Sequence, residues 1–274
     1  MSDDGLHSLT YIGYYDAASR PLRGVIPQEE IITLHLNGHP LVSLMCTPIQ
    51  MEELAIGFLF NEGVIESIDD VAVLRPCSNA HCLDIWLEYD VESPTLRTIT
   101  SGCSGGTTFN DVRQVRRPVE STVRVPHHMV TCMMQSFMQA MNLYRRAGGI
   151  HGAALANATS GHLICLVEDI GRHNALDKVA GHCLQHREPM HDRVLLTSGR
   201  VSAEMINKVA RMQVPVVISR TSPTSLAVQL ARAWHVTLIG YARRRSFHIY
   251  AGEERVFSEP ESEATPERYG LPGQ

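Results

Sequence analysis

The second half of the chain alternates short apolar segments with amphipathic segments, and this alternation restricts the fold more than any other feature of the sequence. The apolar segments have the length of strands, and those between them have the spacing of helices. The predicted strands are residues 163–167, 194–197, 214–219, 236–241 and 247–250. Parallel neighbours require crossover connections, which helices usually provide. The alternation therefore predicts an α/β fold with a mainly parallel sheet covered by helices.

Residues 129–146, which precede this region, predict one amphipathic helix. Apolar side chains recur there at three- and four-residue steps, and Gly148-Gly149 marks the end of the pattern. Several of these side chains are methionines, which adapt to varied partners, so the stripe could line a ligand groove. We favour the alternative, that the stripe packs in the core.

The first part of the chain has a different pattern. Asn37-Gly38 separates two apolar runs and favours a type I′ turn, so residues 31–46 predict a β-hairpin. A helical pattern follows Pro48 and ends at Gly63. Further strand-like runs occupy residues 71–74, 83–89 and 96–100. We therefore expect a smaller α+β part at residues 1–124, an α/β domain at residues 125–257 and a disordered tail at residues 258–274.

Composition and charge exclude several classes of protein. The chain has 274 residues, 44% of them hydrophobic, which suits a folded core. With 24 basic and 29 acidic side chains the net charge is −5, so no general attraction to nucleic acid or to acidic membrane surfaces is expected. No apolar stretch approaches the roughly 20 residues that span a bilayer, and no leader pattern opens the chain. We expect a cytoplasmic protein that binds neither nucleic acid nor membranes.

Cys103 is the cysteine whose surroundings suggest chemistry. It lies in a segment rich in glycine and hydroxyl side chains, residues 100–108, with no apolar residue beside the thiol. A mobile loop of this kind could carry a reactive thiolate to a basic pocket, and the alternative is an ordinary surface cysteine. Four other cysteines lie in apolar stretches, where we expect them to be buried and inert: Cys46, Cys132, Cys165 and Cys183.

Two further patterns suggest metal chemistry only weakly. Cys77 and Cys82 are separated by four residues, but no second ligand pair has suitable spacing, so we expect no bound metal. The run from Gly149 through His151 to Ala153 is similar to the zinc deaminase signature, yet Ala153 stands where that signature has its proton-transferring Glu. His151 is either a polar contact in a site or a core histidine.

Polar motifs follow three of the predicted strands, at residues 168–174, 198–200 and 219–225. Ligands gather at the carboxyl ends of the strands in such sheets, so we expect these motifs to converge on one site. The donors suited to phosphate are Arg172, His173, Asn174, Arg200 and the run from Arg243 to Arg245.

Several ordered segments closely resemble the FdhD/NarQ family of formate dehydrogenase accessory sulfurtransferases. They read EELAIGFL at residues 52–59, EDIGRHNALD at 168–177, TSGRVSAE at 197–204, SPTSLA at 222–227 and LIGYAR at 238–243. The resemblance covers nearly everything between residues 25 and 252. It implies a homodimer with a cytidine deaminase-like three-layer domain, a sheet with helices on both sides, beside the smaller α+β part.

The resemblance also implies an activity. Sulfur would pass from a cysteine desulfurase, as a cysteine persulfide, to the bis-molybdopterin guanine dinucleotide cofactor that formate dehydrogenase needs. No metal would be bound directly by the protein. Matching the family's loop places Cys103 on the persulfide-carrying cysteine and Gly106 on the second cysteine of many members. The cofactor-binding stretch matches Tyr241, Ala242, Arg243, Arg244, Arg245 and Ser246.

Two rival functions remain open from the sequence. The missing second loop cysteine favours a chaperone that binds and inserts the molybdenum cofactor without sulfur transfer. Deaminase ancestry would allow a nucleotide hydrolase, although the absent Glu argues against turnover.

Overall fold

The computed structural model describes residues 4–16, 18–77, 82–89 and 117–258, and the backbone of residues 98–99 and 107–108. The Cys103 loop and residues 259–274 of the predicted tail lie outside the described residues.

The first part begins with two β-hairpins, of which the sequence predicted one. The unpredicted hairpin pairs β1 (Leu6–Tyr15) with β2 (Ala18–Pro27) along ten residues. The predicted hairpin pairs β3 (Glu30–Leu36) with β4 (His39–Cys46). Asn37 and Gly38 both have positive φ, 48° and 83°, as a type I′ turn requires, so this prediction is confirmed.

The remainder of the first part completes a four-stranded sheet. Helix α1 (Met51–Asn61) follows β4 and ends before Gly63, as predicted. Strands β5 (Val71–Pro76) and β6 (Cys82–Leu87) form an antiparallel pair, and β6 also runs parallel to β3, which gives the order β4-β3-β6-β5. Two short strands, β7 (Thr98–Ile99) and β8 (Thr107–Thr108), pair with each other.

The second part contains the remaining elements. The short strand β9 (Val125–Pro126) precedes helices α2 (His127–Ala140) and α3 (Asn142–Ala147). The chain continues through β10 (His151–Asn157), β11 (Leu163–Asp169), α4 (Arg172–Gln185), β12 (Arg193–Thr197), α5 (Ala203–Arg211), β13 (Val216–Ser219), α6 (Ser225–Ala233), β14 (Thr237–Arg243), β15 (Ser246–Ala251) and β16 (Val256–Phe257). Strand β16 pairs with β9.

The prediction of a mainly parallel sheet is wrong. The six strands have the order β11-β10-β12-β13-β14-β15, and only β12, β13 and β14 run parallel to their neighbours in that group. The unpredicted strand β10 is antiparallel to both β11 and β12, and β15 is antiparallel to β14. Short turns join β10 to β11 and β14 to β15, and such turns allow only antiparallel pairing.

The prediction of one helix over residues 129–146 is also wrong, because Met141 interrupts it between α2 and α3. The Glu168 carboxylate accepts hydrogen bonds from the backbone N–H groups of Asn142, Leu143 and Tyr144, at 2.8, 2.9 and 2.8 Å. A carboxylate that satisfies these first-turn donors favours a new helix start there.

Helices cover both faces of the six-stranded sheet. Alternate strand residues such as Leu195 and Val217 share one core cluster with α4 and α5, while Leu196 and Ile218 share a second cluster with α2. The described part of the chain has no helix of the length and apolar character that a membrane crossing requires. The likeness of this layering to cytidine deaminases stays a prediction.

Candidate functional site

The polar motifs that follow the strands meet at one edge of the six-stranded sheet, as predicted. Backbone hydrogen bonds join them: Arg220 N–H donates to Thr197 O at 3.1 Å, and Ser198 N–H donates to Gly152 O at 3.0 Å. Strand β10 runs against its neighbours, so its first residue, His151, lies at this same edge. The sheet therefore brings the deaminase-like segment into the predicted site.

Arg172 is the buried cation of this edge. It begins α4, only 5% of it is exposed, and a Cβ placed on Gly199 would lie 3.1 Å from its Cβ. Among the described residues, its Nε and Nη2 atoms are buried without a hydrogen-bond partner. A buried guanidinium without a partner is costly, which points to an anionic group that completes the site.

The histidines beside Arg172 are neutral. Burial lowers the pKa of His173 to about 2, and the cations of Lys208, Arg172 and Arg200 act in the same direction. These effects outweigh the Glu204 carboxylate, whose Oε2 lies 3.3 Å from His173 Nε2. Burial and the charge of Arg172 also lower the pKa of His151. Neither histidine therefore contributes positive charge at this edge.

The acidic residues of the 168–174 motif are structural. Asp169 is fully buried, and its Oδ2 lies 2.7 Å from Lys178 Nζ and accepts the Thr47 N–H at 3.1 Å. Its Oδ1 accepts the Gly171 N–H at 2.7 Å. The Asn174 amide, a predicted phosphate donor, instead donates to Met45 O at 2.7 Å. This network joins α4 to the first part of the chain.

A cavity of about 490 Å³ lies at the same edge, beside the turn between β14 and β15. We call it the arginine cavity, because five of the ten described residues that line it are Arg145, Arg220, Arg243, Arg244 and Arg245, and none of the ten is acidic. Met134 and Met138 of α2 also line it, although Met134 is at the same time part of the core.

The structure places the predicted cofactor-binding residues unevenly around this cavity. Ala242 and the three arginines line it, and Arg243 Nε donates to Arg220 O at 3.2 Å. Tyr241 is partly exposed with its ring 5.6 Å from the Arg243 guanidinium, and Ser246 begins β15. Arg172 and Arg200, in contrast, are not among the lining residues and form a separate group at the edge.

Two arginines of the cavity were missed from the sequence. Arg145 belongs to α3, whose helical pattern alone did not suggest a ligand contact, and it lines the cavity from the second of the two helices. Arg220 stood in the polar segment after a predicted strand, and that position was the signal that could have identified it.

The cysteines differ from expectation in two respects. Cys46, Cys165 and Cys183 are buried as predicted, and burial raises the pKa of Cys46 to about 12, so it is inert as a thiolate. Cys132 is exposed on α2, so its predicted burial is wrong: neighbouring Met133 and Met134, not Cys132, face the core. Cys77 and Cys82 form a disulfide.

Comparisons with known proteins agree on one family. A model of the FdhD/NarQ family matches residues 27–257. A protein of Bacillus licheniformis named sulfur carrier protein FdhD is 35% identical over 232 residues, which are 82% of this chain and 87% of that protein. A protein of the same name from Staphylococcus haemolyticus is 33% identical over 263 residues, which are 93% of this chain and 98% of that protein.

A solved structure shares the fold. It is the crystal structure of a protein from Desulfotalea psychrophila described as a formate dehydrogenase accessory protein, with a TM-score of 0.80 and 24% sequence identity. The match covers 92% of this chain and 100% of that one.

Proposed function

Because the chain belongs to the FdhD/NarQ family, we propose that it is a sulfurtransferase that delivers sulfur to the molybdenum cofactor required by formate dehydrogenase. Cys103 carries the sulfur as a persulfide. The arginine cavity is the structural observation that supports a phosphate-bearing substrate most directly, because it gathers five guanidinium groups and no carboxylate among its described lining residues.

The cavity suits part of the proposed substrate, bis-molybdopterin guanine dinucleotide. Its volume of about 490 Å³ falls within the range of roughly 300–1,000 Å³ typical of small-molecule sites, so it would take one nucleotide portion of the large cofactor. Arg243, Arg244 and Arg245 lie at an exposed turn where their planar forks can meet diphosphate oxygens. A local basic site of this kind fits an acidic protein, since the charge of the whole chain offers no attraction.

The sulfur chemistry consists of two transfers. The Cys103 thiolate attacks the terminal sulfur of a desulfurase persulfide, which forms the Cys103 persulfide and releases the desulfurase thiolate. The second transfer places that sulfur on the cofactor and returns the Cys103 thiolate. Delivery as sulfide requires two electrons, and Gly106 stands where many members have a second cysteine, so a thiol reductant outside this loop supplies them.

The partners follow from this role. A cysteine desulfurase donates the sulfur, and formate dehydrogenase receives the cofactor. The exchange takes place in the cytoplasm, where this chain acts as a homodimer with deaminase-like layering. The β1–β2 hairpin supports the homodimer, because it exposes Ile12 by 58% and Tyr14 by 77%. A two-stranded hairpin with an exposed apolar surface is marginal in water alone and gains from burial against a second copy.

A cofactor chaperone without sulfur transfer is the main alternative, and intact-protein mass spectrometry separates the two functions. The full chain is incubated with a cysteine desulfurase and cysteine, and the adduct is mapped to a peptide. We expect a gain of one sulfur atom that is reversed by reductant and absent in Cys103→Ala. The Cys132→Ala variant is the control, because Cys132 is also exposed, and it should retain the gain. An adduct that persists in Cys103→Ala would exclude Cys103 as the carrier.

Binding of GDP, the nucleotide portion of the proposed substrate, tests the arginine cavity separately. We expect the Arg243→Gln and Arg244→Gln variants to bind GDP at least about tenfold more weakly, since a charge-assisted hydrogen bond contributes about 1.5–3 kcal/mol. Arg117→Gln removes an exposed arginine that does not line the cavity and should leave binding unchanged. Equal affinity in all variants would place the nucleotide elsewhere.

A further inference from the structure

The cysteine pair between β5 and β6, with Cys77 directly after β5 and Cys82 at the start of β6, acquires a third ligand in the folded chain. From the sequence, Cys77 and Cys82 had no partner ligands at suitable spacing. In the structure, one ligand atom each of His35, Cys77 and Cys82 lie within 4.8 Å of one another. Strand β3 supplies the histidine, because it pairs in parallel with β6 and sets Thr33 opposite Cys82. Sheet register therefore assembles a group of one nitrogen and two sulfur donors.

A carboxylate contacts the histidine, as in many metal sites. Asp84 lies opposite His35 in the β3–β6 register, and its Oδ1 is 3.4 Å from His35 Nδ1. Histidine ligands commonly donate their second ring N–H to such a carboxylate, which fixes the tautomer and leaves the other nitrogen for the metal. The other carboxylate oxygen of Asp84 is 3.8 Å from Arg75 Nε, which helps to hold the carboxylate in place.

The group is also accessible. Cys82 is 9% exposed, but Cys77 and His35 are only partly buried, so an ion can enter and a water molecule can complete a four-coordinate site. Two thiolates and an imidazole are donors that select zinc or another thiophilic ion over magnesium and calcium.

We propose that the reduced protein binds one thiophilic divalent cation, such as Zn²⁺, through His35, Cys77 and Cys82. The disulfide between the cysteines excludes the ion, because coordination requires thiolates. A thiol or phosphine reductant supplies two electrons, and the thiol or, for a phosphine, water supplies two protons, which converts the disulfide into two thiols; the reductant becomes a disulfide or a phosphine oxide. Binding of the ion then displaces both thiol protons. The site is independent of Cys103 and of the arginine cavity, and its occupancy depends on the redox state of the pair.

Cobalt(II) titration tests the proposal on the full chain without a polyhistidine tag. The Cys103→Ala background removes the carrier thiol, and a phosphine reductant opens the disulfide before anaerobic desalting. We expect one Co²⁺ per chain with thiolate-to-cobalt charge-transfer absorption, displaced by Zn²⁺. Added Cys132→Ala should change nothing, because that exposed cysteine lies on α2. The oxidised protein should bind no ion.

Three substitutions at the site complete the test. Cys82→Ser should abolish the charge-transfer absorption, and Asp84→Asn should weaken binding about 10- to 100-fold, as the loss of such a supporting partner typically does. His35→Cys keeps three ligands and should bind Co²⁺ with stronger charge-transfer absorption, which separates a lost ligand from a misfolded protein. Absence of stoichiometric binding by the reduced protein, or equal binding by the Cys82→Ser variant, would overturn the proposal.

Discussion

Gly181 of α4 lies so close to Glu53 of α1 that a Cβ on the glycine would be 1.8 Å from the Glu53 carbonyl oxygen. Gly57 of α1 has the same relationship with Asp177 of α4, also at 1.8 Å. The two helices therefore cross backbone to backbone, and this crossing joins the first part of the chain to the α/β part.

The crossing predicts that Gly181→Ala destabilises the protein by about 1–3 kcal/mol, because the added methyl group overpacks a rigid contact. Helix propensity alone would make the alanine variant more stable by about 1 kcal/mol. A decrease in stability would therefore reflect the close contact between the helices. Urea denaturation provides the measurement. Ser136→Ala on the exposed face of α2 is the control and should stay within about 0.5 kcal/mol of the original chain. A Gly181→Ala variant as stable as that control would contradict the close crossing.

Glu168 is expected to be a structural residue. Substitution by Gln replaces one accepting oxygen with a donor that faces the N–H groups at the start of α3, so we expect a loss of at least about 2 kcal/mol in the free energy of unfolding. Thermal and urea unfolding measure the change. Glu120→Gln removes only an exposed ion pair and should cost little. A stable Glu168→Gln variant that lost only cofactor binding would assign Glu168 to the site instead.

The buried His173 gives stability a pH dependence. Its pKa is about 2 when folded and near 6.5 when unfolded, so between these values only the unfolded chain binds the proton. Above pH 6.5 this difference in proton binding has no effect on the free energy of unfolding. As the pH falls below 6.5, the free energy of unfolding decreases by about 1.4 kcal/mol per pH unit. The free energy of unfolding, measured from pH 7 to pH 5, should therefore fall less steeply in His173→Asn than in the original chain. Identical slopes would mean that His173 binds protons equally in the folded and unfolded chains.

We expect Arg172 to lower the stability of the protein and to be required for its function. Arg172→Met removes a buried cation whose Nε and Nη2 have no hydrogen-bond partner within the described part of the chain, so the variant should be at least as stable as the original chain while formate dehydrogenase activation is lost. Lys178→Met is the contrasting variant. It leaves the buried Asp169 without its ion-pair partner and should cost about 3–5 kcal/mol. If Arg172→Met retained full activation, the anion site at the start of α4 would be ruled out.

The β1–β2 hairpin provides a test of the proposed homodimer. Ile12→Glu and Tyr14→Glu place charges on its most exposed apolar positions, and burial of each side chain would be worth about 1.5–3 kcal/mol. We expect the dimer dissociation constant to rise tenfold or more for each, as measured by light scattering during size-exclusion chromatography at several concentrations. Leu226→Glu, an exposed position on α6, is the control. An unchanged dimer in both hairpin variants would place the interface elsewhere.

Much of the fold could be predicted from the sequence, because it depends on local chemistry. Asn37-Gly38 specifies its turn because both residues accept positive φ, and the hairpin follows from that alone. Apolar runs between amphipathic segments predict the succession of strands along the chain from β11 to β15, and polar residues after β11, β12 and β13 indicate the edge at which these motifs meet. These features depend on neighbours within a few residues, so sequence patterns carry them.

Tertiary structure decided which side chains meet. Glu168 accepts the N–H groups at the start of α3 from 24 to 26 residues away, and Arg145 of α3 lines the arginine cavity. Strand register adds His35 to Cys77 and Cys82, and packing at the start of α4 leaves the Nε and Nη2 of Arg172 buried without a partner among the described residues. The physical reason is common to all three: strand pairing and burial join residues distant in the chain, and no local pattern records which pairs result.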